Sequence, residues 1–264
     1  MIPLKDDNPT YSKPVITYSI LGICVLVFIL QISSASYQSG KLFYSYGLIP
    51  AVLTGHKQLP LELEMIAPEL TLITSMFMHG GFMHLIGNML YLWIFADNIE
   101  DELGPVKFIC FYILSGIAAA LTQVFLNTES TIPMIGASGA IGGVLGAYIV
   151  NHPRAKVLVL IPLGFFSQIV RIPALFVLGF WFVLQFISSS LSSSSGGGVA
   201  YGAHIGGFIF GAVAILFFNK LSVKTRINKT TIRNPWDNYS RTFIHIFKKI
   251  KCGCSPFDSL LIPF

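Results

Sequence analysis

The sequence predicts an all-α membrane protein built as a bundle of six transmembrane helices, and three observations carry that expectation. The chain of 264 residues is 53% hydrophobic and only 11% charged, against about 25% charged in an ordinary soluble domain. Its apolar residues gather into six runs long enough, or nearly so, to cross a hydrocarbon core that needs roughly 20 residues. Its basic residues fall almost wholly on one side of those runs. Only helices or closed barrels satisfy the backbone in lipid, and one polytopic helical domain is the natural outcome.

Residues 1–14 form a short polar lead, expected in the cytoplasm. The first run, Val15–Ile32, exceeds the apolar core of a cleaved leader, so it reads as a retained anchor despite the small residues Ser33-Ser34-Ala35-Ser36 behind it. Residues 33–81 make a long external loop, itself rich in Leu, Ile, Met and Phe and expected partly in the membrane interface. Phe82–Ala96 is the second span. Asp97–Pro105 reads as an acidic turn ending in Gly104-Pro105, and Val106–Leu126 follows as the third span. Ser138–Val150 is the fourth, Arg171–Ile187 the fifth and Gly202–Phe218 the sixth. Asn151–Val170 starts as a turn and continues as an apolar run broken by Pro162 and Gly164. Ser188–Gly198 is almost wholly Ser and Gly, hence flexible. Residues 15–219 thus form the six-helix domain and 220–264 a basic tail.

With the N-terminus inside, Lys5, Lys13, Lys107, Arg154, Lys156, Arg171 and the basic tail all lie inside, and only Lys41 and Lys57 outside. That asymmetry obeys the positive-inside rule and sets both termini in the cytoplasm. The net charge of +5 then reflects topology and anionic lipid headgroups rather than nucleic acid. Asn228-Lys229-Thr230 and Asn238-Tyr239-Ser240 would face the cytoplasm, so their glycosylation pattern is discounted. Cys24 and Cys110 read as packing residues inside helices. Cys252 and Cys254, in the tail, read as free thiols.

Two polar groups stand where hydrocarbon is expected. Ser138 heads the fourth span in Gly136-Ala137-Ser138-Gly139, and His204 opens the sixth in Ala203-His204-Ile205-Gly206-Gly207. Burying such groups in lipid without partners or purpose costs several kcal/mol. Spans four and six run in the same direction, which sets Ser138 and His204 at similar depth. Glycines 139, 142, 143 and 146 on one, and 206, 207 and 211 on the other, allow the close approach that a Ser–His bond between helices requires. The fourth span rises only about 18 Å against a core of about 30 Å. Ser138 therefore sits about 10 Å below the outer surface, and Asn127–Ile135 must dip inward above it. Such backbone is tolerated only beside protein or water. His84 and Asn88 lie four apart on one helical face of the second span. Together with the Ser138 amide they supply donors able to surround an oxyanion. His79 precedes that helix and reads as a structural residue. Asp97 lies at the wrong end of its span and Glu129 in the external loop, so the expected unit is a dyad.

His79-x4-His84-x3-Asn88, Gly136-Ala137-Ser138-Gly139 and Ala203-His204-x2-Gly207-x3-Gly211, in this order on these helices, resemble the signature set of the rhomboid intramembrane serine proteases. The resemblance covers about residues 12–219 and implies a six-helix rhomboid-like bundle. It implies hydrolysis of a peptide bond in or beside a transmembrane helix of another membrane protein. Ser138 would be nucleophile, His204 general base, and His84, Asn88 and the Ser138 amide the oxyanion site. His79, Gly136, Gly139, Gly207 and Gly211 would belong to the structural motif, and the 188–198 stretch would be a mobile cap. No metal or cofactor is expected. Partners would be transmembrane substrates and membrane lipids, not nucleic acid, in a prokaryotic plasma membrane. Substrates with Gly or Pro near the cut and a small residue before it are expected.

Two positions depart from the family pattern. Leu70-Thr71 stand about where Trp-Arg is common. Gly142 stands where an aromatic residue often packs on the catalytic imidazole, so His204 must be oriented otherwise, by Tyr148, Tyr201 or a water. The competing functions are an inactive rhomboid relative that escorts transmembrane helices and, less favoured, a transporter whose His, Asn and Ser line a polar path.

Overall fold

The computed structural model describes residues 1–34, 40–163, 166–191 and 199–221. These lie in one unit, Met1–Ser222. The expectations for the tail, with Cys252 and Cys254, and for most of the Ser/Gly stretch fall outside the described residues.

Strand β1 (Ile2–Asp6) leads into helix α1 (Val15–Ser33). Four short helical turns then fold the external segment: Lys41–Tyr46, Pro50–Leu53, Pro68–Leu70 and Thr71–Thr74, with a 3-10 turn at Ser75–Phe77 behind them. Helices α2 (Phe82–Leu103), α3 (Pro105–Leu126) and α4 (Ser138–Asn151) follow. A hairpin of β2 (Lys156–Leu163) and β3 (Phe166–Pro173) leads to α5 (Ala174–Leu191) and α6 (Tyr201–Leu221).

By length and composition α1, α3 and the Tyr201–Phe218 part of α6 are able to cross a membrane, which makes this an integral membrane protein. Helix α2 qualifies only together with Pro68–Phe77, a pair bent by 81°, and α4 and α5 are shorter apolar helices. The described residues therefore hold three or four spans by this measure, against the six expected.

Helix α4 is the axle of the fold. Every residue from Gly139 to Tyr148 is buried, as required of a helix that is apolar all round. It packs against α6, α3 and α2, and its Gly142 and Gly146 face the backbone of α6. A Cβ at Gly207 would overlap the carbonyl of Gly139, and one at Gly211 the carbonyl of Gly143. No side chain separates α4 from α6 at those levels.

The acidic stretch after Ala96 is helix rather than turn. Helix α2 runs on to Leu103, and only Gly104, at φ +74°, breaks the chain before Pro105 opens α3. The reason lies in α1, whose first turn begins after Pro14 with no cap of its own. Glu100, 2% exposed, accepts from the Ile16 and Thr17 amides and the Thr17 hydroxyl, each at 2.8 Å. Asp101 accepts from the Tyr11 amide at 3.1 Å and the Ser12 amide at 2.8 Å. The carboxylates of one helix thus satisfy the orphan donors of another.

The stretch 156–173 is also corrected, from a broken apolar run and the start of a helix to two strands. Lys156 pairs with Pro173 and Leu158 with Arg171. On the other edge Ile2 pairs with Leu160 and Asp6 with Val157, so the polar lead closes a three-stranded antiparallel sheet. Val157 and Val159 are fully buried while Lys156 is exposed, a period-two pattern hidden in a run of hydrophobic residues. Cys24 is buried as expected, but Cys110 is exposed on α3.

Removing the Glu100 carboxylate should be expensive because it strands three donors at a buried helix end. Glu100→Ala is expected to lose about 2–5 kcal/mol, seen as a lower melting temperature in detergent. Glu100→Gln, which keeps one acceptor oxygen, should lose less. An unchanged melting temperature in Glu100→Ala would show that α1 needs no external cap.

Candidate active site

The Ser138 hydroxyl lies at the first turn of α4, after a segment the external loop holds in place. Leu48 and Met134 exchange backbone hydrogen bonds of 3.0 and 2.7 Å, and the Ala51 amide donates to the Ser130 carbonyl at 2.9 Å. The Gly136 amide donates to the Ser75 carbonyl at 2.9 Å. So the loop before α4 folds against protein, which pairs part of its backbone. Gly136 has φ +122°, and a Cβ there would strike the His84 ring. Only glycine permits both the dihedral and the approach.

His204 sits on the first turn of α6, 9% exposed. Its Nε2 lies 2.7 Å from Ser138 Oγ. The sequence expectation of close helices is met at this level: a Cβ at Gly142 would come within 3.0 Å of the His204 carbonyl, and one at Gly207 would overlap the Gly139 carbonyl. The start of α6 is pinned by α3, where Gln123 Oε1 accepts from the Ala203 amide at 3.2 Å.

Of the two side chains expected to orient the imidazole, Tyr201 touches it and Tyr148 does not. Tyr148 is fully buried and bonds Asp6 on β1, and Tyr201 meets the ring edge-on at 6.3 Å. Two residues of α5 also contact the ring. Gln185 Oε1 lies 2.7 Å from His204 Nδ1. Trp181 lies over the ring, with centroids 5.7 Å apart and planes 31° apart. The tight approach at Gly142 explains why no aromatic side chain comes from α4. Sequence reasoning missed Gln185, although a lone amide in Phe182-Val183-Leu184-Gln185-Phe186, one turn after Trp181, was a usable signal.

His84, Asn88, Ser138 and His204 all line one cavity of about 1340 Å³. His84 Nδ1 accepts from the Gly80 amide at 3.3 Å, which leaves Nε2 to carry the proton on the side of Gly136 and Ser138. Asn88 donates one amide hydrogen to the His84 carbonyl at 2.9 Å and keeps a second. As the first residue of α4, Ser138 has a backbone N–H with no partner inside the helix. His79 is fully buried, edge-on to His84 at 5.2 Å. Its backbone is tied to α1 by Gln31, which donates to its carbonyl and accepts from its amide, both at 3.1 Å. Glu129 is exposed and Asp97 lies near the far end of α2, so neither approaches the pair. Among the described residues no group of His, Cys, Asp and Glu side chains has the arrangement of a metal site.

The family model described as the Rhomboid domain matches residues 68–220. The mitochondrial Rhomboid protein 1 of Saccharomyces cerevisiae is 29% identical over 189 residues, covering 68% of this chain and 51% of the yeast protein. The rhomboid protease GluP of Bacillus subtilis is 29% identical over 204 residues, covering 77% of this chain and 34% of GluP. The mitochondrial presenilin-associated rhomboid-like protein A of Danio rerio is 29% identical over 163 residues, covering 60% of this chain and 39% of its own. The chain thus spans about half or less of the relatives it matches. Two of the three are mitochondrial by name, so they do not favour the prokaryotic setting expected from the sequence.

If the Ser138–His204 distance depends on backbone contact between α4 and α6, one methyl group should break it. Gly207→Ala should lower the melting temperature, by about 1–3 kcal/mol of overpacking, and abolish Ser138 reactivity below that temperature. Gly22→Ala, on α1 with open space around it, should change neither. Full reactivity in Gly207→Ala would show that the helices have room to spare.

Proposed function

The chain belongs to the rhomboid family, and from that premise we propose that it is an intramembrane serine endopeptidase. It would hydrolyse a peptide bond in or next to a transmembrane helix of another membrane protein. One observation carries the reading: Ser138 Oγ and His204 Nε2 stand 2.7 Å apart on a cavity that also holds three unspent hydrogen-bond donors.

In the proposed reaction His204 Nε2 takes the Ser138 proton as Oγ attacks the scissile carbonyl. The carbonyl oxygen becomes an oxyanion and accepts from the Ser138 amide, His84 Nε2–H and Asn88 Nδ2–H. The imidazolium returns its proton to the leaving amine, the C–N bond breaks, and an acyl ester remains on Ser138. A water entering by the cavity then loses a proton to Nε2 and attacks the ester; the acyl C–Oγ bond breaks, Nε2 returns its proton to Ser138 Oγ, and the new carboxyl end leaves. His79 holds the chain before α2 and takes no part in proton transfer. Gly136, Gly139, Gly207 and Gly211 act by allowing close approach. All chemistry is acid–base and needs no metal or cofactor.

We also propose that all six long helices cross the bilayer, with α4 sheathed by its neighbours and therefore short. Residues 1–14 and the basic tail 220–264 would lie on the cytoplasmic side. The support is the one-sided basic charge, which also suits contact with anionic lipids. Substrate helices that unwind easily should be preferred, because a hydrogen-bonded helix hides its scissile carbonyl.

Reconstituted protein with a model transmembrane substrate tests the chemistry. Ser138→Ala and His204→Ala should each abolish cleavage, and the double variant should be no worse, since the pair acts as one unit. His84→Ala or Asn88→Ala should slow turnover about 10- to 1000-fold, while His79→Ala should act mainly on melting temperature. Wild-type turnover by Ser138→Ala would end the serine-protease reading.

A further inference from the structure

The reacting pair comes from α4 and α6, but the far side of the imidazole belongs to a third helix. On α5, Trp181 and Gln185 are four residues apart and share one face. Trp181 covers the His204 ring and Gln185 Oε1 meets Nδ1 at 2.7 Å, the same distance that separates Nε2 from Ser138. Val183, Leu184, Phe186 and Ile187, on the other faces of α5, are exposed.

We propose that Gln185 is a positioning residue for His204, so that the working unit is Ser138–His204–Gln185 and not a dyad. The proposal rests on the serine-protease reading and deepens it. Its logic is the hydrogen-bond inventory. A neutral imidazole carries one proton, and an amide oxygen only accepts. With Oε1 facing Nδ1, that proton must be on Nδ1, which leaves the Nε2 lone pair free for the Ser138 hydroxyl. The reverse amide orientation would donate to Nδ1, force the proton onto Nε2 and disable the base. During attack the Ser138 proton moves to Nε2, and the imidazolium still donates Nδ1–H to Oε1. Gln185 gains and loses no proton.

An amide also suits this place better than a carboxylate. No Asp or Glu lines the cavity among the described residues, and position 185 is half-buried, where an ionised carboxylate is costly. A neutral acceptor fixes the tautomer without that charge and without holding His204 as imidazolium in the resting state. Gln185 and Trp181 together replace what an aromatic residue at position 142 has no room to do. Because both ride on α5, the orientation of the base depends on how α5 is seated, whereas the Ser138–His204 distance depends on α4 and α6.

Purified full-length protein in lipid, with a fluorogenic transmembrane substrate, tests this through Gln185→Met and Gln185→Glu. Gln185→Met keeps the volume and loses the acceptor. It should lower kcat about 10- to 100-fold with KM within about threefold and melting temperature unchanged. Gln185→Glu restores an acceptor and should recover most of the lost kcat at high pH. It should also move the acidic limb of the kcat/KM profile to higher pH, since a carboxylate favours the imidazolium and the base then needs a higher pH to be free. The other titratable groups facing the cavity, His84 and Tyr91 on α2 and Tyr201 on α6, are unchanged in both variants, so the limb reports on His204. Wild-type kcat in Gln185→Met overturns the proposal. So does a loss of kcat matched by a fall in melting temperature, or an active Gln185→Glu whose acidic limb stays in place. Failure of the serine-protease reading would appear separately, as turnover surviving Ser138→Ala.

Discussion

Everything at the site depends on two helices touching backbone to backbone. Side chains on both would hold α4 and α6 about 8–10 Å apart. Gly142 and Gly146 on one and Gly207 and Gly211 on the other remove them, and carbonyl oxygens of the facing helix then occupy the space where Cβ atoms would be. That contact brings a hydroxyl and an imidazole on separate helices within 2.7 Å. In lipid no hydrophobic effect drives helices together, so close van der Waals contact carries the association. The same glycines are thus both the glue and the ruler of the site.

The rest of the protein serves to hold that contact at one depth and fill its surroundings. The turns before α2 pair with residues 130–136 and lead the chain into α4. At the other end Glu100 and Asp101 cap the entry to α1, and the sheet ties β1 to the hairpin that joins α4 to α5. Tyr148, at the inner end of α4, bonds Asp6 on β1. Burial pushes the Asp6 carboxyl up from its ordinary range, partly offset by that hydroxyl. Helix α4, which carries Ser138, is therefore anchored at both ends by polar contacts and along its length by packing.

What was legible in the sequence was whatever chemistry makes improbable in lipid. Ser138, His204, His84 and Asn88 stand out because each is polar among hydrocarbon, and their order and spacing identify the motif set. Helix cores were legible for the same reason, since apolar runs of that length have few alternatives. The strands were not: Lys156–Leu163 reads as a continuous apolar stretch, and its alternation shows only once Val157 and Val159 are seen to face the bundle. The helical Asp97–Leu103 was hidden because its carboxylates answer donors some 85 residues away. Gln185 stands out as a lone amide, but its role was hidden. Its partner is set by how α5 lies against α6, which no local pattern encodes.

The central claim is that His204 makes the Ser138 hydroxyl a nucleophile at the floor of a cavity open to water. The most direct measurement is the intact mass of the purified protein after incubation with a fluorophosphonate, with peptide mapping of the adduct. The account predicts a single adduct, located on Ser138, that fails to form when His204 is replaced by Ala in folded protein. An unmodified wild-type chain, or an adduct that maps elsewhere and survives loss of His204, would contradict it.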